Sequence, residues 1–306
     1  MADHLPTAGT DLCQLEEKLM SRNFRALLEA QWAKGKFVCV GLDTDVNKLP
    51  KIVQTQNLTD SMITFNREII GATKDLVCAF KPNSAFYEKH GADGWGVLHK
   101  TCCMIREYAP DVPIIWDAKR ADIGNTNEGY VEAFLKLKAD ALTVNPYLGA
   151  EALKPFLDLT DSGIIVLCRT SNPGAGEFQD LIVETNWEPI GRTPLYQYVA
   201  RQIARVWNEN DNCAVVVGAT CPDELQRIRE LVGDLPILIP GIGAQGGDLE
   251  KTVRAGKDSR GRGMIINLSR SVLYASSGDN FAQAARCEVE RVHNLINSLL
   301  REEVVV

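Results

Sequence analysis

The sequence predicts an α/β protein folded as a single (β/α)8 barrel, the TIM-barrel architecture, with an extra helix at its amino end. Three observations carry that expectation. Eight short apolar runs recur between residues 37 and 268, and each is followed by a stretch with helical spacing of apolar residues. The runs lack strict polar alternation, as parallel strands buried on both faces do. No low-complexity tract, long linker or break in composition divides the 306 residues, which argues against an open doubly wound sheet with a second domain.

Residues 10–34 read as a helix, because Leu12, Leu15, Leu19, Leu27 and Leu28 fall near a 3.6-residue period among charged partners. Placed before the first strand, it is expected to pack outside the core and close one end of the fold. The first strand, 37–43, ends in Asp43, and its helix covers 59–73. The second, 76–81, ends in Lys81 and leads to a helix over 90–108. The third, 113–119, runs from Ile114 through Trp116 into Asp117 and Lys119, with a helix over 125–138. The fourth and fifth are 141–146 and 163–169, the fourth followed by a helix over 150–159. The sixth, seventh and eighth are 213–218, 236–240 and 263–268, with helices over 223–232, 245–255 and 281–300. One connection is unusually long: residues 171–193 separate the fifth strand from its helix at 194–209, contain Asn172-Pro173-Gly174-Ala175-Gly176 and show little periodicity. A long segment at the carboxyl end of a barrel strand reads as a lid, here 172–193, on a barrel spanning 37–301.

A composition 45% hydrophobic and 24% charged is that of a globular protein. The net charge of −7 speaks against a general nucleic-acid binder while leaving room for one cationic pocket. The first residues lack the apolar core of a signal peptide, and no run approaches the ~20 apolar residues of a membrane span. The nine cysteines are scattered, several inside strands (Cys39, Cys78, Cys168), without a C-x-x-C pair; Cys102 and Cys103 are adjacent, unsuited to an ordinary bridge. They read as reduced thiols of a cytoplasmic protein.

Active sites of such barrels lie at the carboxyl ends of the strands, where Asp43, Lys81, Asp117, Lys119, Ser171 and Arg270 fall. Asp117 and Lys119, two apart, share a strand face, whereas Asp122 comes after the strand end and need not. Two carboxylates around one ammonium suit proton movement or opposition to substrate charge. A solvated, salt-bridged loop would give the same string. The second strand-end lysine, in Ala79-Phe80-Lys81-Pro82-Asn83, favours chemistry, because both lysines would converge in one barrel. Asp43 taken alone reads as a cap or turn residue. Pro240-Gly241-Ile242-Gly243-Ala244-Gln245 follows the seventh strand, and Asn267-Leu268-Ser269-Arg270 ends the eighth. Glycines there let backbone N–H groups approach an anion and Arg270 adds charge, at the usual phosphate position of such barrels. The alternative is that Gly241 and Gly243 only shape a turn.

By these residues the chain resembles the orotidine 5′-phosphate decarboxylase family, in its longer-chain branch with an extended N-terminal helix and an inserted lid. The resemblance spans 37–270. It rests on Gly41-Leu42-Asp43, Phe80-Lys81-Pro82-Asn83, Asp117-Ala118-Lys119-Arg120-Ala121-Asp122-Ile123, Thr170-Ser171-Asn172-Pro173, the glycine loop and Ser269-Arg270. It implies decarboxylation of orotidine 5′-phosphate to uridine 5′-phosphate in de novo pyrimidine synthesis, without cofactor or metal, by a homodimer. It also implies a tetrad of Lys81, Asp117, Lys119 and, from the neighbouring subunit, Asp122, with Ile123 and Thr126 beside it across the interface. Lys119 would stabilise and then protonate C6 of the ring, while Lys81 and Asp122 would hold Lys119 and the ribose hydroxyls. Asp43 and Asn83 would serve the ribose, and Ser171, with Thr170 as the alternative, the pyrimidine edge. Pro240, Gln245, Ser269, Arg270 and the backbone around Gly243 would surround the phosphate, whose binding would close the lid. Ser269 stands where glycine is expected before the arginine, and its N–H still serves. Three other readings stay open: a metal-dependent relative such as a hexulose-phosphate synthase, a phosphate-binding barrel without chemistry, and a Schiff-base aldolase using Lys119.

Overall fold

The computed structural model describes residues 22–187, 190–243 and 247–302. Eight parallel strands form the barrel: β1 (Val38–Gly41), β2 (Val77–Lys81), β3 (Ile115–Arg120), β4 (Ala141–Val144), β5 (Gly163–Arg169), then β8 (Cys213–Val217), β9 (Ile237–Pro240) and β10 (Met264–Leu268). The intervening β6 (Ile182–Trp187) and β7 (Ile190–Pro194) pair antiparallel in a separate hairpin. The large sheet runs in the order β2-β1-β10-β9-β8-β5-β4-β3, so each strand lies beside its sequential barrel neighbour. Closure falls between β2 and β3, through the single parallel bridges Phe80–Ile114 and Asn83–Asp117. Three backbone bonds mark that seam: Phe80 N–H donates to Pro113 at 3.1 Å, Asp117 N–H to Pro82 at 3.0 Å and Ser84 N–H to Asp117 at 3.1 Å.

The strands are buried on both faces, which is why they read as continuous apolar runs. Helices cover the outside with one apolar stripe each. In Phe281–Glu302 that stripe is Phe281, Ala285, Val289, Val292, Ile296 and Leu299, at the spacing of one helix face. Phe281 stacks on Phe65 of the helix Leu58–Thr73, ring centroids 5.3 Å apart, and so ties the last helix to the one after β1.

The amino-terminal helix is present as Phe24–Trp32, capped by Asn23, whose side chain accepts from the Ala26 N–H. Of the expected 10–34 helix, residues 10–21 lie outside the described residues, which begin at 22, and the described helix ends at Trp32 rather than 34. It closes the amino end of the barrel, as expected. The Trp32 indole N–H donates to the Met264 carbonyl at 2.8 Å, and Phe24 fills the space over Gly163, where a Cβ would come 2.1 Å from its ring. Among the described residues, no helix is long and apolar enough to cross a membrane.

Three local features differ from the sequence expectation. The segment after β5 is not featureless: it holds a helical turn, Gly176–Gln179, and the β6–β7 hairpin. The residues of β6 up to Asn186 are exposed or only half-buried, so they carry no apolar alternation to announce a strand. The helix expected over 194–209 is α-helical only for Leu195–Gln202 and continues as a π-turn, Ile203–Trp207. The helix expected from 245 begins at Leu249, because Asp248 caps it by accepting from the Lys251 N–H.

Candidate active site

The carboxyl ends of the strands surround a cavity of about 780 Å³, within the usual size of small-molecule sites. Its wall contains Asp43, Lys81, Asn83, Asp117, Lys119, Thr170, Ser171, Pro240, Ser269 and Arg270, so ten of the sequence-derived positions converge there.

Asp117 is the hub. Lys81 donates to its Oδ2 at 2.8 Å and Lys119 to its Oδ1 at 2.6 Å. Asn83 donates to Oδ2 at 3.2 Å, and the Thr143 hydroxyl to Oδ1 at 2.9 Å. Burial by itself would push the Asp117 carboxyl up, but the ammonium groups of Lys81 and then Lys119 outweigh it and hold the carboxyl well below the usual range. Burial would likewise lower the Lys81 ammonium; Asp117, and then Asp43 at 3.9 Å, reverse this and keep it well above the ordinary lysine range. Both groups are therefore charged at neutral pH. Lys81 is buried, whereas the Lys119 side chain is 48% exposed, toward the cavity its residue lines.

Lys119 reaches Asp117 by a route that strand alternation does not describe. Its φ is +49°, in the left-handed region, and the β3–β4 register shifts between Trp116 and Arg120. Such a backbone costs on the order of 1 kcal/mol in a non-glycine residue. The Lys119 N–H is held in that turn by the Thr143 hydroxyl at 2.9 Å. Thr143 thus fixes both the strand end and the carboxylate. Sequence reasoning missed it, although one threonine within the four-residue buried strand Ala-Leu-Thr-Val was the available signal.

Tyr274 was missed too. Its hydroxyl accepts from the Asp45 N–H at 2.7 Å and donates to the Asp43 carbonyl at 3.2 Å, so it fastens the loop that carries Asp43. Asn267, a third omission, lines the cavity with a buried Oδ1 that has no hydrogen-bond partner among the described residues. Its signal was an amide inside the apolar run of β10.

Thr170 is tied to the segment after β5: its N–H donates to Gln179 Oε1 at 3.0 Å, and Gln179 Nε2 donates back to its hydroxyl at 2.8 Å. Ser171 sits against Gly218, where a Cβ would come within 2.7 Å of its own; only glycine admits that approach. On the far wall, Gly241 (φ +105°) and Gly243 (φ +72°) are both left-handed, which other residues adopt at a cost. Gly241 lines the cavity and Gly243 follows it, with exposed Arg270 at the end of β10. Gln245 lies outside the described residues.

Asp122, Ile123 and Thr126 are not brought into the cavity of their own chain. The Asp122 carboxylate accepts from the Ile123 N–H at 2.7 Å, and the Ile123 side chain is 57% exposed. Cysteine chemistry has no place here: burial pushes the Cys39 and Cys168 thiols up to about 12.

A profile of the Orotidine 5′-phosphate decarboxylase / HUMPS family matches residues 36–286. The chain is 48% identical over 272 residues to the orotidine 5′-phosphate decarboxylase of Janthinobacterium sp. (strain Marseille), covering 88% of this chain and 96% of that one. Among solved structures it resembles Leishmania donovani OMP decarboxylase, with a TM-score of 0.74 and 34% identity over 89% of this chain and 99% of that one. Leishmania donovani UMP synthase superposes with a TM-score of 0.80 and 34% identity over 92% of this chain, which spans 57% of the length of that protein.

Proposed function

The chain belongs to the orotidine 5′-phosphate decarboxylase / HUMPS family, and from that premise we propose that it converts orotidine 5′-phosphate to uridine 5′-phosphate and CO2 in pyrimidine synthesis. The observation that carries this reading is a buried, ionised Asp117 held between two lysine ammonium groups at the floor of a cavity that ends in a glycine loop and an arginine.

The chemistry follows from charge. With the phosphate at Arg270 and the glycine loop, the ring carboxylate lies over Asp117 and Lys119. Two unit charges ~4 Å apart at an effective dielectric near 20 repel by about 4 kcal/mol, and loss of neutral CO2 relieves that repulsion. The bond from C6 to the carboxyl carbon breaks and its electron pair stays on C6. The Lys119 ammonium stabilises that pair and then delivers its proton to C6; the amine regains a proton from water, which its exposure admits. The reaction needs no cofactor. A Schiff base at Lys119 is disfavoured because its nitrogen is engaged as a donor to Asp117 at 2.6 Å.

The family profile also covers sugar-phosphate enzymes, for which the metal-dependent reading was kept open. Here the buried Lys81 ammonium already supplies the cation between Asp43 and Asp117, which favours the decarboxylase.

We further propose a homodimer in which Asp122, Ile123 and Thr126 complete the partner's cavity. The exposure of Ile123 and the absence of all three from the wall of their own cavity support this. Gln245, with Arg270, is proposed for the phosphate, Asp43 and Asn83 for the ribose, and Ser171 or Thr170 for the pyrimidine edge. Closure of 172–193 over bound phosphate is part of the same proposal. A cytoplasmic location is proposed from the free, mostly buried cysteines.

The test is the ultraviolet absorbance of orotidine 5′-phosphate mixed with purified protein in excess chelator. Loss of the orotate chromophore with equimolar uridine 5′-phosphate is expected. Nucleotide binding without turnover would refute the decarboxylase and leave a binding barrel.

A further inference from the structure

We infer that Arg120, through its pair with Glu88, is the positioning residue that holds Lys119 in its reactive place. The inference rests on the reading of Lys119 as proton donor, and it concerns a side chain that does not line the cavity.

The groups around Asp117 straddle the weakest seam of the barrel. Lys81 and Asn83 come from the β2 side and Lys119 from β3, yet those two strands meet only at isolated bridges, whereas each other pair of neighbouring strands shares a ladder of two or more residue pairs. Immediately past the last of those bridges, the β3 backbone turns left-handed at Lys119 and its register against β4 slips. A chain in that conformation returns to an ordinary one unless its surroundings over-determine it. From the β4 side, the Thr143 hydroxyl holds the Lys119 N–H, and the Asn145 N–H donates to the Arg120 carbonyl at 3.1 Å.

On the opposite side, Arg120 supplies the rest. Its guanidinium pairs with Glu88, on the helical turn Ala85–Glu88 that follows β2, so a charge-assisted contact crosses the seam. The same guanidinium lies over the Trp116 ring at 5.4 Å and over the Tyr130 ring, on the helix Gly124–Leu137, at 5.3 Å. Trp116 joins the staple as well, its indole N–H donating to the Ser84 hydroxyl at 2.6 Å, while the Ser84 N–H donates to the Asp117 carbonyl at 3.1 Å. Three elements (the turn after β2, the end of β3 and the helix after it) are thereby locked at the residue next to Lys119. A planar cation is required for this: lysine could reach Glu88 but could not lie flat against two rings.

The experiment compares Arg120→Met, Arg120→Lys and Glu88→Gln with the wild type. It records kcat and KM for orotidine 5′-phosphate, the melting temperature, and the Lys119 Cε resonance in protein labelled with 13C-lysine. Arg120→Met keeps the stem on Trp116 and Tyr130, and Glu88→Gln reaches the same pair from the helical turn after β2, so one well-folded variant suffices. Displacement of Lys119 by about 1 Å should lower kcat about 10- to 100-fold in Arg120→Met and Glu88→Gln, with KM within about threefold of wild type. Arg120→Lys should recover part of the loss, and the Lys119 resonance should shift or broaden in Arg120→Met. Unchanged kcat with a lower melting temperature would overturn the inference, leaving Arg120 merely structural; raised KM with unchanged kcat would overturn it in favour of a binding role. An inactive wild type would sink the decarboxylase reading separately. The Lys119 resonance then decides the positioning claim alone, and an identical signal in Arg120→Met refutes it.

Discussion

Replacing Thr143 with valine tests the geometry of the site without touching a charged group. Valine has nearly the shape of threonine but can neither donate to Asp117 Oδ1 nor accept from the Lys119 N–H, the two 2.9 Å bonds that Thr143 makes. A hydrogen bond to a charged group contributes about 1.5–3 kcal/mol, and an orphaned N–H costs about 1–3 kcal/mol when fully buried. The Lys119 N–H is only partly buried, so water replaces some of the second term and the sum falls to about 2–4 kcal/mol. At ~2–4 °C per kcal/mol for a large domain, the melting temperature should drop roughly 5–15 °C. The catalytic cost comes from a left-handed Lys119 that has lost its anchor, and a displacement near 1 Å corresponds to about 100-fold in kcat. Turnover followed by loss of orotate absorbance should therefore fall about 10- to 100-fold, and Thr143→Ser, which keeps the hydroxyl, should restore most of it. A folded Thr143→Val protein with kcat within about twofold of wild type would refute the coupling of Thr143 to Lys119.

Other perturbations separate the remaining roles. Lys119→Ala should lower turnover by several orders of magnitude with the fold intact, as circular dichroism would show; near-normal turnover would remove it as proton donor. Arg270→Ala should raise KM more than it lowers kcat, and added guanidinium should recover activity; a loss confined to kcat would contradict a phosphate-binding role. Acid titration reads Asp117. Its carboxyl is held well below the ordinary value of about 3.9, so its stabilising contribution is complete above that pH and is lost as pH falls toward the folded value. The melting-temperature gap between wild type and Asp117→Asn should therefore narrow as pH falls from about 5 to about 2, and a constant gap would disprove the depressed carboxyl. Mixed dimers of Asp122→Ala and Lys119→Ala subunits should regain activity that neither parent has; verified heterodimers without activity would exclude a shared site.

Much of this architecture was legible because burial on both faces leaves a plain mark. Each barrel strand appears as an apolar run, and Asp43, Lys81 and Asp117 appear as charges where a run stops. What stayed hidden obeys other constraints. Thr143 and Asn267 sit inside strands, where one polar residue looks like a tolerated substitution until the structure shows what it touches. The residues of β6 up to Asn186 are exposed or half-buried and so give no apolar alternation to read. The left-handed turn at Lys119 is invisible because nothing in Asp-Ala-Lys-Arg marks it; a glycine there would have been the usual signal. Asp122 lies outside the cavity of its own chain, and under the proposed homodimer the groups it would meet belong to a second copy.

The four donors to Asp117 explain why an acid between two bases does not simply neutralise itself. A carboxylate offers about four acceptor positions, and here Lys81, Asn83, Lys119 and Thr143 take one each. Protonating Asp117 would break at least one of these bonds and leave two ammonium groups uncompensated, so the negative charge persists when a substrate carboxylate arrives. Nor can the carboxylate swing away, because donors from β2, the segment after it, β3 and β4 hold both of its oxygens. The cost of assembling these charges is met during folding, before substrate binds. Among the four, only Lys119 exposes its donor side chain substantially. The one group able to give up a proton and regain it from water is thus also the one whose backbone must be held from both sides, by Thr143 and by Arg120.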